Sequence, residues 1–314
     1  MIEYIPHNNI DTDKWDDSVA QALNKSIYAY SWYLDLVCDK WDALVQDDYK
    51  TIMPLPANTK MGISYLFQPD FTQQLGIISK TTISSNTMNN FLAAIPKKFK
   101  IVEINLNKSN IPNKNNPAFI SNANYELDLN KSYIEIYPSY SSNLKRNLKK
   151  AEKNNITTIQ NIKPDEIINL FKENRGKKIK TLTDKSYQRL SRLIYVLIHR
   201  GQAQIWGSYN DTNELIAGAF FIKNGDNWVF LFSGTSEKAR KNSAMPFLID
   251  TFIKNNANSK AILDFEGSND KNLARFYKSF GAKRTTYYGY RQNNLPFPVK
   301  ETINIIKKIK SIIK

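Results

Sequence analysis

The chain of 314 residues contains one cysteine and two histidines, and this scarcity excludes several kinds of site. Cys38 has no second cysteine with which to form an intramolecular disulfide or a cysteine-based metal cluster. His7 and His199 are too few for a zinc triad, and neither lies in the sequence context of a Ser-His-Asp set. We therefore expect no bound metal and no covalent enzyme intermediate.

Long apolar runs and glycine motifs are also missing. Apolar runs such as Leu193–Ile198 and Val229–Phe232 are far shorter than the roughly 18 residues of a membrane-spanning helix. Met1–Trp15 is polar and acidic, unlike a secretory signal. The glycine patterns of dinucleotide sites, P-loops and nucleophile elbows do not occur. We expect a cytoplasmic protein without a Rossmann-type cofactor.

Arginine is absent from the first 130 residues, which hold 11 lysines against 14 acidic residues. Residues 131–314 hold 33 basic residues against 15 acidic ones, so the net charge of +15 arises from −3 and +18 in the two parts. Residues 131–200 alone contain 16 basic and 6 acidic residues. This asymmetry indicates that the second part meets an anion, with nucleic acid, a phosphorylated carrier and an acidic protein surface all open.

The order of predicted elements occurs twice along the chain. Helical spacing in Trp15–Asp39 and Thr87–Ile95 brackets a series of β-prone runs, and residues 131–292 show a similar but more complete series. The sequence predicts an α/β fold (α+β, mixed sheet) with domains at 1–130 and 131–298. Isoleucines on one face of Val299–Lys314 predict a basic amphipathic helix, which either docks onto its own domain or contacts a membrane surface.

Two segments resemble known families. Ser142–Lys153 (SNLKRNLKKAEK) resembles the RxxxRKAEK helix of Fem-type aminoacyltransferases. Asp264–Ser268 (DFEGS) and Leu273–Ala282 (LARFYKSFGA) resemble the fifth strand and the closing helix of the GNAT fold, the acyl-CoA N-acyltransferase fold. The resemblance implies two tandem GNAT-like domains, the second more complete. It also implies an N-acyltransferase or aminoacyltransferase in which an amine directly attacks a thioester or aminoacyl ester.

GNAT domains bind the pyrophosphate of acyl-CoA with a [Q/R]xxGx[G/A] loop that opens a helix, where free N–H groups and the helix dipole receive phosphate oxygens. Arg240 matches this loop, whereas Ser243 and Met245 replace its small positions. The implied donors are acyl-CoA, an acyl carrier or aminoacyl-tRNA, and a solvated basic loop is the alternative reading. The implied donor site consists of Ser233, Gly234, Arg240, Lys241, Ser243 and Ala244.

Three residues are candidates for proton transfer. Alternation along the fifth strand places Asp264 and Glu266 on one face, where a carboxylate could take the proton of an attacking amine; Glu266 is the first choice. Tyr277 resembles the GNAT tyrosine that protonates the leaving group. The alternatives are that the two carboxylates cap a helix or pair with Arg275 and Lys278, and that Tyr277 only packs.

The basic helix carries a continuous stripe of cations, with Leu144, Leu148 and Ala151 on the other side. Phosphates of a nucleotide-linked substrate, of tRNA or of a phosphopantetheine arm would neutralise this stripe; a solvated helix face is the alternative. Two rival functions stay open, a non-catalytic GNAT-fold protein that binds anions or nucleotides and an RNA-binding protein. The candidate anion-binding residues of the stripe are Lys145, Arg146, Lys149 and Lys150.

Overall fold

The computed structural model describes residues 1–113, 116–179, 181–267 and 269–298, so the predicted helix at 299–314 lies outside the described residues. The chain divides into two compact units. The first comprises Met1–Ser121 together with the segment from Tyr287 onward, and the second comprises Asn122–Thr286. Within the described residues no helix combines the length and apolar character needed to cross a bilayer.

In the part of the chain that the structure describes, the first unit contains a mixed sheet and three α-helices. Its strand order is β1-β2-β3-β4-β6-β13, β5 pairs with β3, and only β4 and β6 are parallel. Its helices are α1 (Thr12–Gln21), α2 (Ser31–Val37) and α3 (Ser85–Ala93). Its strands are β1 (Ile2–Ile5), β2 (Trp41–Gln46), β3 (Thr51–Lys60), β4 (Ile63–Leu66), β5 (Ile78–Ser79) and β6 (Phe99–Asn105), joined by the end of β13 (Lys283–Asn293).

The single helix predicted over Trp15–Asp39 is wrong, because α1 and α2 are separate helices. Between them, the Asn24 amide donates to the carbonyl of Ile77 (2.8 Å) and accepts from the backbone N–H of Ser79 (3.0 Å). These bonds to the neighbouring strand replace the helical bonds that the apolar spacing predicted.

The second unit is a mixed sheet with helices on both faces, which confirms the predicted α/β fold class with a mixed sheet. Its strand order is β7-β12-β11-β10-β9-β8, with β11 and β12 parallel and the other neighbours antiparallel. Its strands are β7 (Phe119–Asp128), β8 (Thr157–Gln160), β9 (Ala203–Tyr209), β10 (Leu215–Asn224), β11 (Asn227–Thr235) and β12 (Ile262–Asp264). Its helices are α4 (Tyr133–Ile136), α5 (Ser142–Lys153), α6 (Pro164–Glu173), α7 (Asp184–His199), α8 (Glu237–Asn242), α9 (Ala244–Asn256) and α10 (Lys271–Ser279).

Aromatic side chains fill the core on the α9 side of this sheet. Phe252 of α9 stacks on Phe221 of β10 with ring centroids 3.6 Å apart, and its edge meets Trp206 and Trp228. The apolar side of α5 belongs to the same core, because Leu144, Leu148 and Ala151 are buried in it, whereas its cations lie outside. Burial of this apolar surface is the main force that holds α5 and α9 on the sheet.

A row of three glycines lets α6 approach the opposite face of the sheet. Gly207, Gly218 and Gly234 are register partners across β9, β10 and β11. A Cβ atom on Gly234 would lie 2.6 Å from the carbonyl oxygen of Ile167 and 3.1 Å from the backbone nitrogen of Phe171. A Cβ atom on Gly218 would instead lie 2.5 Å from the Ile167 side chain. The missing side chains therefore allow the α6 backbone to lie directly on β11.

Gly234→Ala is expected to lower the free energy of unfolding by about 2–3 kcal/mol, because the added methyl meets helix backbone that cannot move without tilting α6. Gly218→Ala should lower the free energy of unfolding by about 1 kcal/mol, since the added methyl meets only the Ile167 side chain. Urea denaturation of the two variants, each with and without Ile167→Ala, checks this. In the Ile167→Ala background, Gly218→Ala should lower the free energy of unfolding by less than it does alone, whereas the loss caused by Gly234→Ala should be unchanged. If Ile167→Ala reduces both losses equally, the packing described is contradicted.

Candidate active site

A cavity of about 430 Å³ lies in the second unit, where β11, α5, α8, α9, α10 and the segment after α6 meet. Its lining contains apolar side chains, cations and small polar groups. It is lined by Asn147, Lys150, Phe171, Arg175, Phe230, Ser233, Thr235, Ala239, Arg240, Ser243, Met245, Pro246, Leu273, Phe276 and Tyr277.

The charged side chains of the lining are all cations. Lys150 comes from α5, Arg175 from the short 3-10 helix after α6, and Arg240 from α8, and no carboxylate is among the lining residues that the structure describes. The chain has 35 lysines and only 9 arginines, so two arginines at one cavity are a concentration of the rarer cation. The guanidinium fork pairs with phosphate or carboxylate through two hydrogen bonds. The cavity is therefore suited to an anion.

The N-terminus of α9 faces the same cavity. Ser243 ends α8 in the left-handed conformation (φ 60°), and the next residue begins α9. The first turn of a helix carries backbone N–H groups without intrahelical partners, here reduced by Pro246, which has no N–H. These groups and the helix dipole add to the attraction for an anion. Ala244, a predicted donor-site residue, points into the core and does not line the cavity.

A β-bulge in β11 decides which side chains face the cavity. Phe220 and Phe221 of β10 are register partners of Phe232 and Phe230, so Leu231 has no partner on β10. The extra residue reverses the alternation of side chains along the strand. Phe230 before the bulge and Ser233 after it therefore point into the cavity together. A Cβ atom on Gly234 would point to α6, so this predicted donor-site residue also allows α6 to pack on the sheet.

Strands β11 and β12 separate beside the cavity. Their parallel pairing covers only Trp228↔Leu263 and Val229↔Asp264, after which β12 ends and β11 continues to Thr235. The backbone edge of β11 beyond Val229 thus has no β12 residue opposite it.

Tyr277 is a buried phenol that lines the cavity. Its ring stacks on Phe265 with centroids 4.9 Å apart. Burial is the main cause that raises the pKa of Tyr277, the negative charge of Glu266 adds to it, and the positive charge of Arg175 opposes both, so that the pKa is about 12. Because its pKa is so far above neutral, the phenol holds its proton at physiological pH and is able to donate it.

The two candidate carboxylates lie near this phenol but outside the cavity lining. Asp264 accepts hydrogen bonds from the Asn124 amide (3.0 Å) and from the backbone N–H of Glu266 (2.7 Å). Glu266 has a positive φ of 49°, so the alternation predicted through it ends with β12 at Asp264. The cap of α10 is Asp270, which accepts from the N–H groups of Asn272 and Leu273.

The predicted cation stripe is only partly at the cavity. Lys150 lines it, whereas Lys145 donates to the carbonyl of Pro138 (3.2 Å) and lies over the Tyr137 ring. Arg146 and Lys149 are exposed and outside the lining, as is Lys241 of α8.

The structure therefore brings together five of the predicted residues, Ser233, Arg240, Ser243, Tyr277 and Lys150. Sequence reasoning missed Arg175 and the apolar wall of Phe171, Met245 and Phe276. The scarcity of arginine was a signal for Arg175, whereas nothing in the sequence showed that α6 would bring it to this cavity. Within the described residues no group of three or more His, Cys, Asp or Glu side chains could hold a metal ion.

No family model matches the chain, and no curated protein matches it. Solved structures do. FemX is 11% identical with a TM-score of 0.65, over 96% of this chain and 99% of FemX. L-PGS from Bacillus licheniformis is 13% identical with a TM-score of 0.55, over 92% of this chain and 94% of that one. A conserved protein of unknown function from Bacteroides thetaiotaomicron is 10% identical with a TM-score of 0.55, over 92% of this chain and 100% of that one. The chain therefore has the Fem-like fold that the sequence resemblance predicted.

Proposed function

We propose that the second unit is an acyl- or aminoacyltransferase that moves an activated acyl group from a phosphate-bearing donor to an amine. The observation that carries the proposal is the cavity beside the separating strands β11 and β12, with three cations and a helix N-terminus on its wall. Its setting in a fold shared with FemX supports the same reading. Fold alone does not specify chemistry, so the proposal rests on the site.

The donor binds by its phosphates and its acyl chain. Lys150, Arg175, Arg240 and the first turn of α9 receive phosphate oxygens, which acyl-CoA, a phosphopantetheine arm and aminoacyl-tRNA all carry. The apolar wall accommodates the acyl chain or the apolar part of the donor. This wall consists of Phe171, Phe230, Met245, Leu273 and Phe276.

Transfer requires one bond to form and one to break. The amine nitrogen attacks the carbonyl carbon, the new C–N bond forms, and the C–S or C–O bond of the donor breaks. Glu266 takes the proton released by the amine, the phenol of Tyr277 gives its proton to the leaving sulfur or oxygen, and Glu266 then passes its proton to the Tyr277 phenolate. Main-chain N–H groups near Ser233 and Gly234 stabilise the carbonyl oxygen. No enzyme nucleophile takes part.

A non-catalytic anion-binding protein is the second candidate. The observation that favours it is the loop before α9, where Ser243 and Met245 occupy positions at which GNAT donor loops carry small residues. The exposed cations Arg146 and Lys149 favour an RNA partner for such a protein. Incubation with acyl-CoA, acyl-carrier and aminoacyl-tRNA donors and a panel of amines separates the candidates. Amide formation supports the transferase, and donor binding without transfer supports the binding protein.

Arg175→Ala and Arg240→Ala should each weaken binding of acetyl-CoA about tenfold, because each removes a charge-assisted hydrogen-bonding fork from the cavity wall. Lys241→Ala is the matched control, since this lysine neighbours Arg240 but lies outside the cavity. Isothermal titration calorimetry at two salt concentrations measures the dissociation constant of acetyl-CoA for each variant and its dependence on salt. Equal losses in Lys241→Ala and Arg240→Ala would show a diffuse charge effect and contradict the site.

Tyr277→Phe should lower kcat about 100-fold and leave KM for the donor within about twofold, because it removes a proton donor and keeps the ring. In the wild type, the phenol pKa of about 12 predicts that kcat does not fall between pH 8 and pH 10 through loss of this proton. Tyr195→Phe, on the exposed face of α7, is the control. If Tyr277→Phe keeps the wild-type kcat, the phenol donates no proton in the reaction and Tyr277 has only a packing role.

A further inference from the structure

A second groove lies on the other side of α10. It has a volume of about 500 Å³, and the structure places four cations around it. Three of them follow one another along α10 at i, i+4 and i+7, which spans roughly 10 Å of the helix axis. The cations are Lys271, Arg275 and Lys278 of α10 and Arg284 of β13.

These cations are available to a partner. All four are exposed, and none forms a salt bridge with a described residue. The Arg275 guanidinium donates to the neutral side-chain amide of Asn272 (3.1 Å), and Lys278 lies over the Tyr125 ring at 5.8 Å. The lining of the groove within the described residues contains no carboxylate. Like charges so close together repel, and a negative partner would relieve this repulsion.

The apolar residues of the groove lining indicate which kind of negative partner fits. They are Ala123, Ala274 and Tyr125, and the ring of Tyr125 lies under Lys278. A surface that combines apolar residues with charged ones is typical of a protein–protein contact. Single-stranded nucleic acid would instead require exposed aromatic faces on which bases stack, and Tyr125 is only 3% exposed. The groove therefore fits an acidic helix that inserts an apolar side chain between flanking carboxylates.

Helix α10 connects this surface to the candidate active site. One side of the helix turns Leu273, Phe276 and Tyr277 into the cavity, and the other turns Arg275 and Lys278 into the groove. A protein held on the groove lies one helix diameter, about 10 Å, from the donor cavity. We infer that the cationic face of α10 is the docking surface of an acidic acyl carrier protein, which delivers its thioester to that cavity. This inference rests on the proposed transferase function and selects its donor.

The test compares two donors of the same acyl group, acetyl-CoA and an acyl carrier protein acetylated on its phosphopantetheine arm. Arg275→Glu/Lys278→Glu should raise KM for the carrier at least tenfold and change KM for acetyl-CoA less than twofold. Lys283→Glu is the matched control, because this exposed lysine precedes Arg284 on β13 and does not line the groove. Calorimetry with the unacylated carrier measures docking without chemistry, and the charge reversal should abolish the binding heat.

The outcomes separate the docking surface from the transferase function. If the wild type binds the carrier, the charge reversal abolishes that binding, and no donor gives transfer, the docking surface is supported and the proposed chemistry is contradicted. Transfer from acetyl-CoA without carrier binding supports the chemistry and overturns the docking surface. The docking surface is also overturned if the wild type does not bind the carrier but binds a single-stranded RNA oligonucleotide, and the charge reversal abolishes that binding. The groove would then be a nucleic-acid-binding surface. A carrier variant with lysines in place of its acidic helix residues should regain affinity for the charge-reversed protein.

Discussion

The close approach of the α6 backbone to β11 is the constraint on which the candidate site depends. At Gly234 a single Cβ atom would lie 2.6 Å from a helix carbonyl, so the helix sits where no side chain could intervene. Phe171 at the end of α6 consequently packs on Phe232 of β11, with centroids 4.7 Å apart. Arg175 follows in the next turn and reaches the cavity. A packing detail on one face of the sheet thus positions a cation of the proposed donor site.

The β-bulge at Leu231 supplies the second half of the arrangement. It turns Phe230 and Ser233 to the same side, although plain alternation would place them on opposite faces. Because β12 ends at Asp264 while β11 continues, the strand edge and the N-terminus of α9 border one space. Cations, an apolar wall and a protonated phenol then share a single cavity, and each comes from a different element.

The sequence predicted the local features of this site better than their assembly. Helical spacing predicted the basic helix and its buried apolar side, because helical periodicity is a local property. The resemblance to the GNAT fold singled out Tyr277, which lines the cavity. The bulge is a matter of cross-strand register, which the sequence of one strand cannot reveal, so the sequence did not predict that Phe230 and Ser233 face the same side. Arg175 was missed because its place depends on the contact between α6 and the glycine row, residues distant in sequence.

The most direct measurement is a double-mutant cycle of Gly234→Ala and Arg175→Ala, read as the dissociation constant of acetyl-CoA. If the glycine row positions Arg175, Gly234→Ala tilts α6 and loses about as much affinity as Arg175→Ala. The double variant should then bind no more weakly than either single variant. Additive losses, or wild-type affinity in a folded Gly234→Ala variant, would contradict the claim that this packing contact builds the anion site.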